Sequence, residues 1–158
     1  MKKLYVVGNK ASKSLSPTIF NYWFRKYNIK ASYGYLELTE KNFHNKIKDI
    51  LEKKDTLGLN VTIPFKKKII KHLGKIDTHA KKIGAVNCVT NKKTINGTNT
   101  DWTGYYKTLP NIKKTKNRKV IILGYGGASH AIHYVLKKRG FKDILIFNRS
   151  KKKIKYSK

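Results

Sequence analysis

The sequence predicts an α/β protein: an open, parallel-type sheet with flanking helices over residues 1–104, then a separate strand–helix–strand unit over 105–158. Three observations carry that expectation. The apolar patterning alternates strand, helix, strand, helix, strand as far as Ile63, the order of a parallel α/β arrangement. In the strand Leu57 to Ile63, Leu57, Leu59, Val61 and Ile63 alternate with Gly58, Asn60 and Thr62, and Pro64, which has no N–H for a sheet ladder, ends it. Farther on, the apolar run Val120-Ile121-Ile122-Leu123 leads through Gly124-Tyr125-Gly126 into a helical pattern.

Taken in order, Leu4-Tyr5-Val6-Val7-Gly8 reads as a short buried strand and Asn9 to Ser16 as a polar loop. Ser16 before Pro17 reads as a hydroxyl N-cap followed by proline at the first helical position. Ile19, Phe20, Trp23, Phe24 and Tyr27 then form an apolar stripe at three- and four-residue spacing. Tyr33-Tyr35-Leu36-Leu38 suggests the next strand, and Thr39 caps a second amphipathic helix with Phe43, Ile47, Ile50 and Leu51.

After Lys66, short helices are expected through Ile69-Ile70 and Ala80 to Ile83, then a strand over Gly84 to Val89. Asn96-Gly97 is a tight-turn signal. A helix follows from Asp101, capped by Asn99 or Thr100. Pro110 to Lys119, polar and basic, reads as a linker, and the domain boundary is placed near Tyr105. In the second unit, a helix over Ala131 to Lys138 should end at Gly140, with Ile144-Leu145-Ile146-Phe147 the following strand.

The chain has 158 residues, enough for a well-cored domain, and its 11% aromatic content argues against disorder. Its formal net charge is +29, from 37 lysines and arginines against 8 acidic residues. Such a charge attracts polyanions whatever the fold. The lysines, however, are spread along the whole chain, few arginines are present, and no zinc-finger spacing or aromatic RNA-binding motif appears. The expectation is no specific nucleic-acid partner; a non-catalytic, basic nucleic-acid-binding protein stays as the alternative from another class. Cys88 is the single cysteine, expected small and buried, so no disulfide framework is expected. His130 and His133 stand at helical spacing without a nearby third ligand, so no metal is expected. No apolar run is long enough to span a bilayer, and Met1-Lys2-Lys3-Leu4 leads straight into a strand. The reading is a soluble, cytoplasmic protein with no membrane partner.

The chemistry concentrates at two places. Asn60 and Thr62 share one strand face, and Lys66 should stand exposed in a cleft just beyond, at the strand end where open α/β sheets bind ligands. An amide, a hydroxyl and an ammonium there suit a polyhydroxylated, anionic small molecule. Asp101, at a helix start, is the partner expected for Lys66 in holding a substrate hydroxyl and passing a proton. The second place is Gly124-x-Gly126 with Gly127 and Ala128, a dinucleotide-binding turn, Ser129 standing where a third small residue is usual. The following strand ends in Asn148-Arg149-Ser150 with no carboxylate for a ribose 2′-hydroxyl, while Arg149 can fork a 2′-phosphate. NADP is therefore favoured over NAD.

Four stretches closely resemble the substrate domain of shikimate dehydrogenases: Val7-Gly8-Asn9 through Ser14-Leu15-Ser16-Pro17, Asn60 through Lys66, Gly84-Ala85-Val86-Asn87, and Gly97 through Gly104. The Gly124 turn with Asn148-Arg149 looks like the start of that family's Rossmann NADP domain, and the resemblance runs over nearly the whole chain. It implies reversible NADPH-dependent reduction of 3-dehydroshikimate to shikimate, a step of aromatic amino-acid biosynthesis, by a monomer or homodimer. It implies that Ser14, Ser16, Thr62, Asn87 and Asp101 hold the substrate, with Lys66 the proton-transferring residue. A relative acting on quinate, or using NAD, is the runner-up. Cys88 departs from the family's usual threonine. Family members continue through a second half of the cofactor sheet and a returning helix, so the resemblance implies an amino-terminal portion, with residues 105–158 a truncated cofactor domain.

Overall fold

The computed structural model describes residues 1–110 and 118–148. Most of the expected linker, together with Arg149 and Ser150, lies outside those residues.

Three parallel strands form one side of the main sheet. β1 (Lys2–Gly8) lies between β2 (Ala31–Glu37) and β3 (Thr56–Val61), with Val7 opposite Leu36 on one side and Val61 on the other. The crossovers are helical: α1 (Ser16–Lys26) joins β1 to β2, and α2 (Phe43–Leu51) joins β2 to β3. On the far side of β3 the sheet turns antiparallel through β5 (Cys88–Asn91) and β6 (Ile95–Thr98), and a two-residue β4 (Lys75–Ile76) closes the edge, giving the order β2-β1-β3-β5-β6-β4. The mixed α/β class stands, with an antiparallel hairpin beside the parallel strands.

The core shows why α2 forms where its pattern placed it. Phe43, Ile47, Ile50 and Leu51 all lie against the sheet, and the Phe43 ring stacks on Phe65 at 4.2 Å between centroids. That stack joins α2 to the loop carrying Lys66. Thr39, the expected cap, stands ahead of the actual N-cap, Asn42: its hydroxyl accepts from the Asn42 N–H while Asn42 Oδ1 accepts from the Thr39 N–H, and the helix starts at Phe43.

Several expectations are corrected. Ser16 is the first residue of α1 rather than its cap; the Ser14 hydroxyl accepts the Ser16 N–H at 3.2 Å instead. The α1 stripe is not a buried face: Phe20 and Phe24 pack against Val6, Ala11 and Tyr33, but Ile19, Trp23 and Tyr27 remain exposed. Ile63 is 64% exposed, since β3 ends at Val61 and the chain then leaves the sheet through a cis Ile63–Pro64 bond. Gly84 belongs to no strand; at φ 71° it ends α3 (Thr78–Ile83), whose cap is Asp77 accepting from the His79 and Ala80 N–H groups. Asn96-Gly97 lies inside β6, and Gly97 is bare because a Cβ there would strike the Leu73 side chain. Cys88 is half-buried rather than buried.

The last part is β7 (Lys119–Leu123), α5 (Gly127–Lys138) and β8 (Asp143–Phe147), a parallel pair beneath one helix. The helix starts earlier than its apolar pattern suggests because Gly127 to Ser129 form its first turn. Ile122, Leu136, Phe141, Ile144 and Ile146 make its core, to which Tyr105 of α4 (Asp101–Thr108) adds its ring. α5 also docks on the first part: Ala131 packs with Ile83 and Ala85, and the Tyr134 hydroxyl lies 2.8 Å from His79 Nδ1. Helix α4 runs unbroken across residue 104, with Trp102 packed beside Ile83 and Ala85 of the first part and Tyr105 against the core of the second. Among the described residues, no helix is long and apolar enough to cross a membrane, and no cluster of three or more His, Cys, Asp or Glu could hold a metal ion.

Candidate functional site

The carboxyl ends of β1 and β3 open onto a cleft of about 500 Å³ lined by Lys10, Lys13, Ser14, Ser16, Asn60, Thr62, Lys66 and Asn87, among others. A larger hollow of about 640 Å³ lies at the other end of α1, beside Met1 and Asn28. Of its lining side chains, the Asn21 amide is spent on the Tyr33 backbone N–H and C=O.

At the inner end of the cleft the Lys66 ammonium donates to Asp101 Oδ2 at 2.7 Å. The lysine side chain keeps only 12% of its exposure, against the expectation of an exposed cleft residue, because the loop after β3 folds it under the second unit. The other carboxylate oxygen, Oδ1, accepts from Asn87 Nδ2 at 2.8 Å, and Asn87 Oδ1 in turn accepts the Thr100 N–H at 2.8 Å. Asn87 is itself fixed through its backbone, its N–H donating to the Thr98 carbonyl and its C=O receiving the Val61 N–H at 2.8 Å. Asp101 thus stands in the first turn of α4, held on both sides, where the helix dipole favours its charge.

At the outer end the Ser14 hydroxyl donates to Ser16 Oγ at 3.1 Å. The turn bearing Lys10 and Lys13 is tied down by Ser12, whose N–H and hydroxyl both donate to Glu37 on β2. Those bonds hold the Glu37 carboxyl below its usual range. Between the two ends, the Thr62 hydroxyl makes no hydrogen bond to a described residue, and its methyl is accommodated by Gly8, where a Cβ would come within 2.5 Å of it. Asn60 lines the cleft but its amide is engaged: Oδ1 accepts from the Tyr33 hydroxyl at 2.6 Å, and Nδ2 points at the Asn87 carbonyl at 3.5 Å.

Tyr33 escaped the sequence reading, which saw only a strand residue. Burial pushes its phenol up to about 12, partly opposed by a hydrogen bond with Ser16. A buried tyrosine hydroxyl needs a partner, and that requirement was the one available signal. Thr100 was noted only as a helix cap, yet its hydroxyl lies 2.9 Å from Asn87 Nδ2.

The second expected place lies directly beside the first. Ile63, Pro64, Lys66 and Lys67 face Tyr125, Gly126 and Gly127 across a space of about 240 Å³, so Lys66 borders both cavities. Gly124 has φ 99°, which only glycine adopts readily, and Cβ atoms at Gly124 and Gly126 would meet nothing within 4 Å. This bare backbone at the amino end of a 12-residue helix fits a pyrophosphate. Ala128 follows in the first turn of α5, and the Ser129 hydroxyl donates to the Gly126 carbonyl at 2.8 Å. Asn148 is placed just past β8.

Residues 6–89, the part of the chain with this cleft, match the family model described as the shikimate dehydrogenase substrate binding domain. The chain belongs to the shikimate dehydrogenase family. A shikimate dehydrogenase of Thermotoga petrophila is 36% identical over 94% of this chain and 55% of its own length. The crystal structure of shikimate dehydrogenase 1 from Peptoclostridium difficile superposes with a TM-score of 0.88 at 32% identity, covering 100% of this chain and 59% of that one. A shikimate 5-dehydrogenase from Thermus thermophilus, solved in complex with NADP(H) and shikimate, has a TM-score of 0.78 at 26% identity over 95% of this chain and 57% of its own. The chain therefore spans somewhat more than half the length of these shikimate dehydrogenases.

Proposed function

We propose that this chain carries the substrate site and the opening part of the cofactor site of an NADP-dependent shikimate dehydrogenase, which reversibly reduces 3-dehydroshikimate to shikimate in aromatic amino-acid biosynthesis. In this reading residues 1–104 are the substrate-binding domain and 105–158 begin the NADP-binding domain. The protein acts in the cytoplasm as a monomer or homodimer, with no specific nucleic-acid partner.

The observation that carries the reading is the continuous chain Lys66–Asp101–Asn87 at the junction of the two cavities. A hydroxylated carboxylate ring spans the cleft at the ends of β1 and β3: its carboxylate meets the Ser14 and Ser16 hydroxyls beside Lys10 and Lys13, and its ring hydroxyls meet Thr62, Asn87 and Asp101. In the reducing direction the Lys66 ammonium gives its proton to the 3-oxo oxygen, and Asp101 orients the ammonium and accepts a hydrogen bond from the neighbouring hydroxyl. Asn60 lines the same cleft, with its Oδ1 taken by the Tyr33 hydroxyl. NADPH supplies the hydride, and Gly124, Gly126, Gly127 and Ala128 offer the backbone that receives its pyrophosphate. Asn148, Arg149 and Ser150 favour the 2′-phosphate of NADP over NAD.

Calorimetric titration of shikimate into this chain tests the reading. Saturable binding is expected, lost in Asn87→Ala and in Asp101→Ala. Quinate binding as tightly as shikimate would favour the quinate-acting relative. No saturation by either ligand would overturn the proposal.

A further inference from the structure

The three glycines of the Gly124–Gly127 turn are bare for different reasons. Gly124 needs its positive φ; Gly126, at φ −88° and ψ −174°, has ordinary extended backbone with open space where a Cβ would stand. Gly127 also lacks a backbone reason, yet a Cβ there would lie 2.9 Å from Lys66 Cβ, 3.1 Å from its Cδ and 3.4 Å from its Cγ. The missing side chain of Gly127 is filled by the stem of Lys66.

Lys66 is anchored at both ends. Its carbonyl accepts the Val86 N–H at 2.8 Å, which fixes the backbone, and its ammonium is held by Asp101 at 2.7 Å, which fixes the tip. The stem runs between these anchors across the face of Gly127. The docking of α5 is equally anchored, by the Ala131 contact with Ile83 and Ala85 and by Tyr134 against His79. A methyl group on Gly127 must therefore displace either the lysine or the helix.

From this geometry we infer that Gly127 is a positioning residue for Lys66: its bare Cα sets where the ammonium stands relative to Asp101, apart from any contact with a nucleotide. The turn that receives the cofactor and the amine that moves the proton are thus in direct contact, and a shift of one is felt by the other. The functional half of this inference rests on the role proposed above for Lys66; the steric half does not.

A double-mutant cycle separates the two. Gly127→Ala should lower the thermal midpoint of this chain by about 5 °C, and the same change should cost almost nothing in a Lys66→Gly background, where no stem remains to strike. If Gly127→Ala alone does not fold, recovery of folding in the double variant supports the contact, and failure to recover overturns it. Equal losses in both backgrounds also overturn it. With no nucleotide present, shikimate affinity should drop about tenfold in Gly127→Ala, because displacement of a positioned group by a fraction of an ångström is costly. Gly126→Ala should instead weaken NADP binding while the shikimate affinity stays near that of the unmutated chain. Equal shikimate affinity in Gly127→Ala and the unmutated chain would overturn the positioning role. A chain that binds no shikimate yet shows the coupling would overturn the proposed function and leave the Gly127–Lys66 contact established.

Discussion

The Lys66 ammonium and the Asp101 carboxylate meet at 2.7 Å from positions 35 apart in the sequence, one in the loop after β3 and the other in the first turn of α4. Asp101→Ala takes away the acceptor of a largely buried ammonium and leaves an Asn87 N–H without its carboxylate. We expect a loss of about 2 kcal/mol in denaturant unfolding, below the range for a fully buried pair because Asp101 retains part of its hydration. Lys66→Ala, assayed together with a complete cofactor-binding half, should lower turnover by about 10²–10⁴. A variant within threefold of the unmutated rate, roughly 0.6 kcal/mol of barrier, would remove Lys66 from proton transfer.

The buried Tyr33 phenol predicts a distinct alkaline behaviour. Its pKa is raised in the fold from 10.0 to about 12, so the unfolded chain releases this proton first. The stability tied to the neutral phenol is complete below pH 10.0 and is lost progressively as pH rises towards about 12. Lysines titrate in the same window, so the comparison is between the unmutated chain and Tyr33→Phe at each pH. The stability difference between them should shift in favour of the phenylalanine variant across that window; parallel curves would count against it.

His130 gives the opposite dependence on the acid side. Burial, then the nearby Lys67 charge, lowers its pKa, although the bond to the Ile83 carbonyl opposes the shift. Its Nε2 is buried with no hydrogen-bond partner among the described residues, so the ring is held neutral with Nδ1 donating to Ile83. A depressed histidine contributes stability above its unfolded pKa, near 6.5, and that contribution is lost as pH falls through the lower folded value. Hydrogen exchange in α5 should therefore accelerate below about pH 6 relative to β1 and β3. An unchanged ratio between α5 and the main sheet down to about pH 5 would refute this.

The stacked rings of Phe43 and Phe65 are both fully buried. Phe65→Ala should lower unfolding stability by about 3–5 kcal/mol through lost burial and the cavity left behind. Since Phe65 adjoins Lys66, shikimate affinity should fall as well. A destabilised variant with undiminished affinity would show that the Lys66 loop keeps its shape without the stack.

The sheet of the second unit shows apolar side chains to solvent, with Leu123 82% exposed and Ile121 and Phe147 also uncovered. A two-stranded sheet with such a face is prone to association. Light scattering should rise with concentration for this chain and fall for Leu123→Lys; equal scattering by both would dismiss that face as the cause.

Local pattern was enough for the elements that bury one regular face. The α2 residues Phe43, Ile47, Ile50 and Leu51, the β1 run, and the strand–glycine–helix order after Val120 were legible because burial imposes a period on sequence. Lys66 and Asp101 stood out for similar reasons: a cation just past a strand end and a rare carboxylate at a helix start. What only the tertiary structure decided depends on neighbours distant in the chain. Gly97 looked like a turn because glycine permits turns, but it lies inside β6, where a Cβ would strike the side chain of Leu73 from the segment before β4. The α1 stripe looked buried because its spacing is helical, yet spacing cannot say how wide a surface awaits it. Tyr33 and Thr100 were silent as site residues, and Gly127 was legible only as part of the nucleotide turn, because their partners, Asn60, Asn87 and Lys66, are brought to them only by the folded sheet and the docking of α5. Periodicity records which face is covered; only the packed structure specifies what covers it.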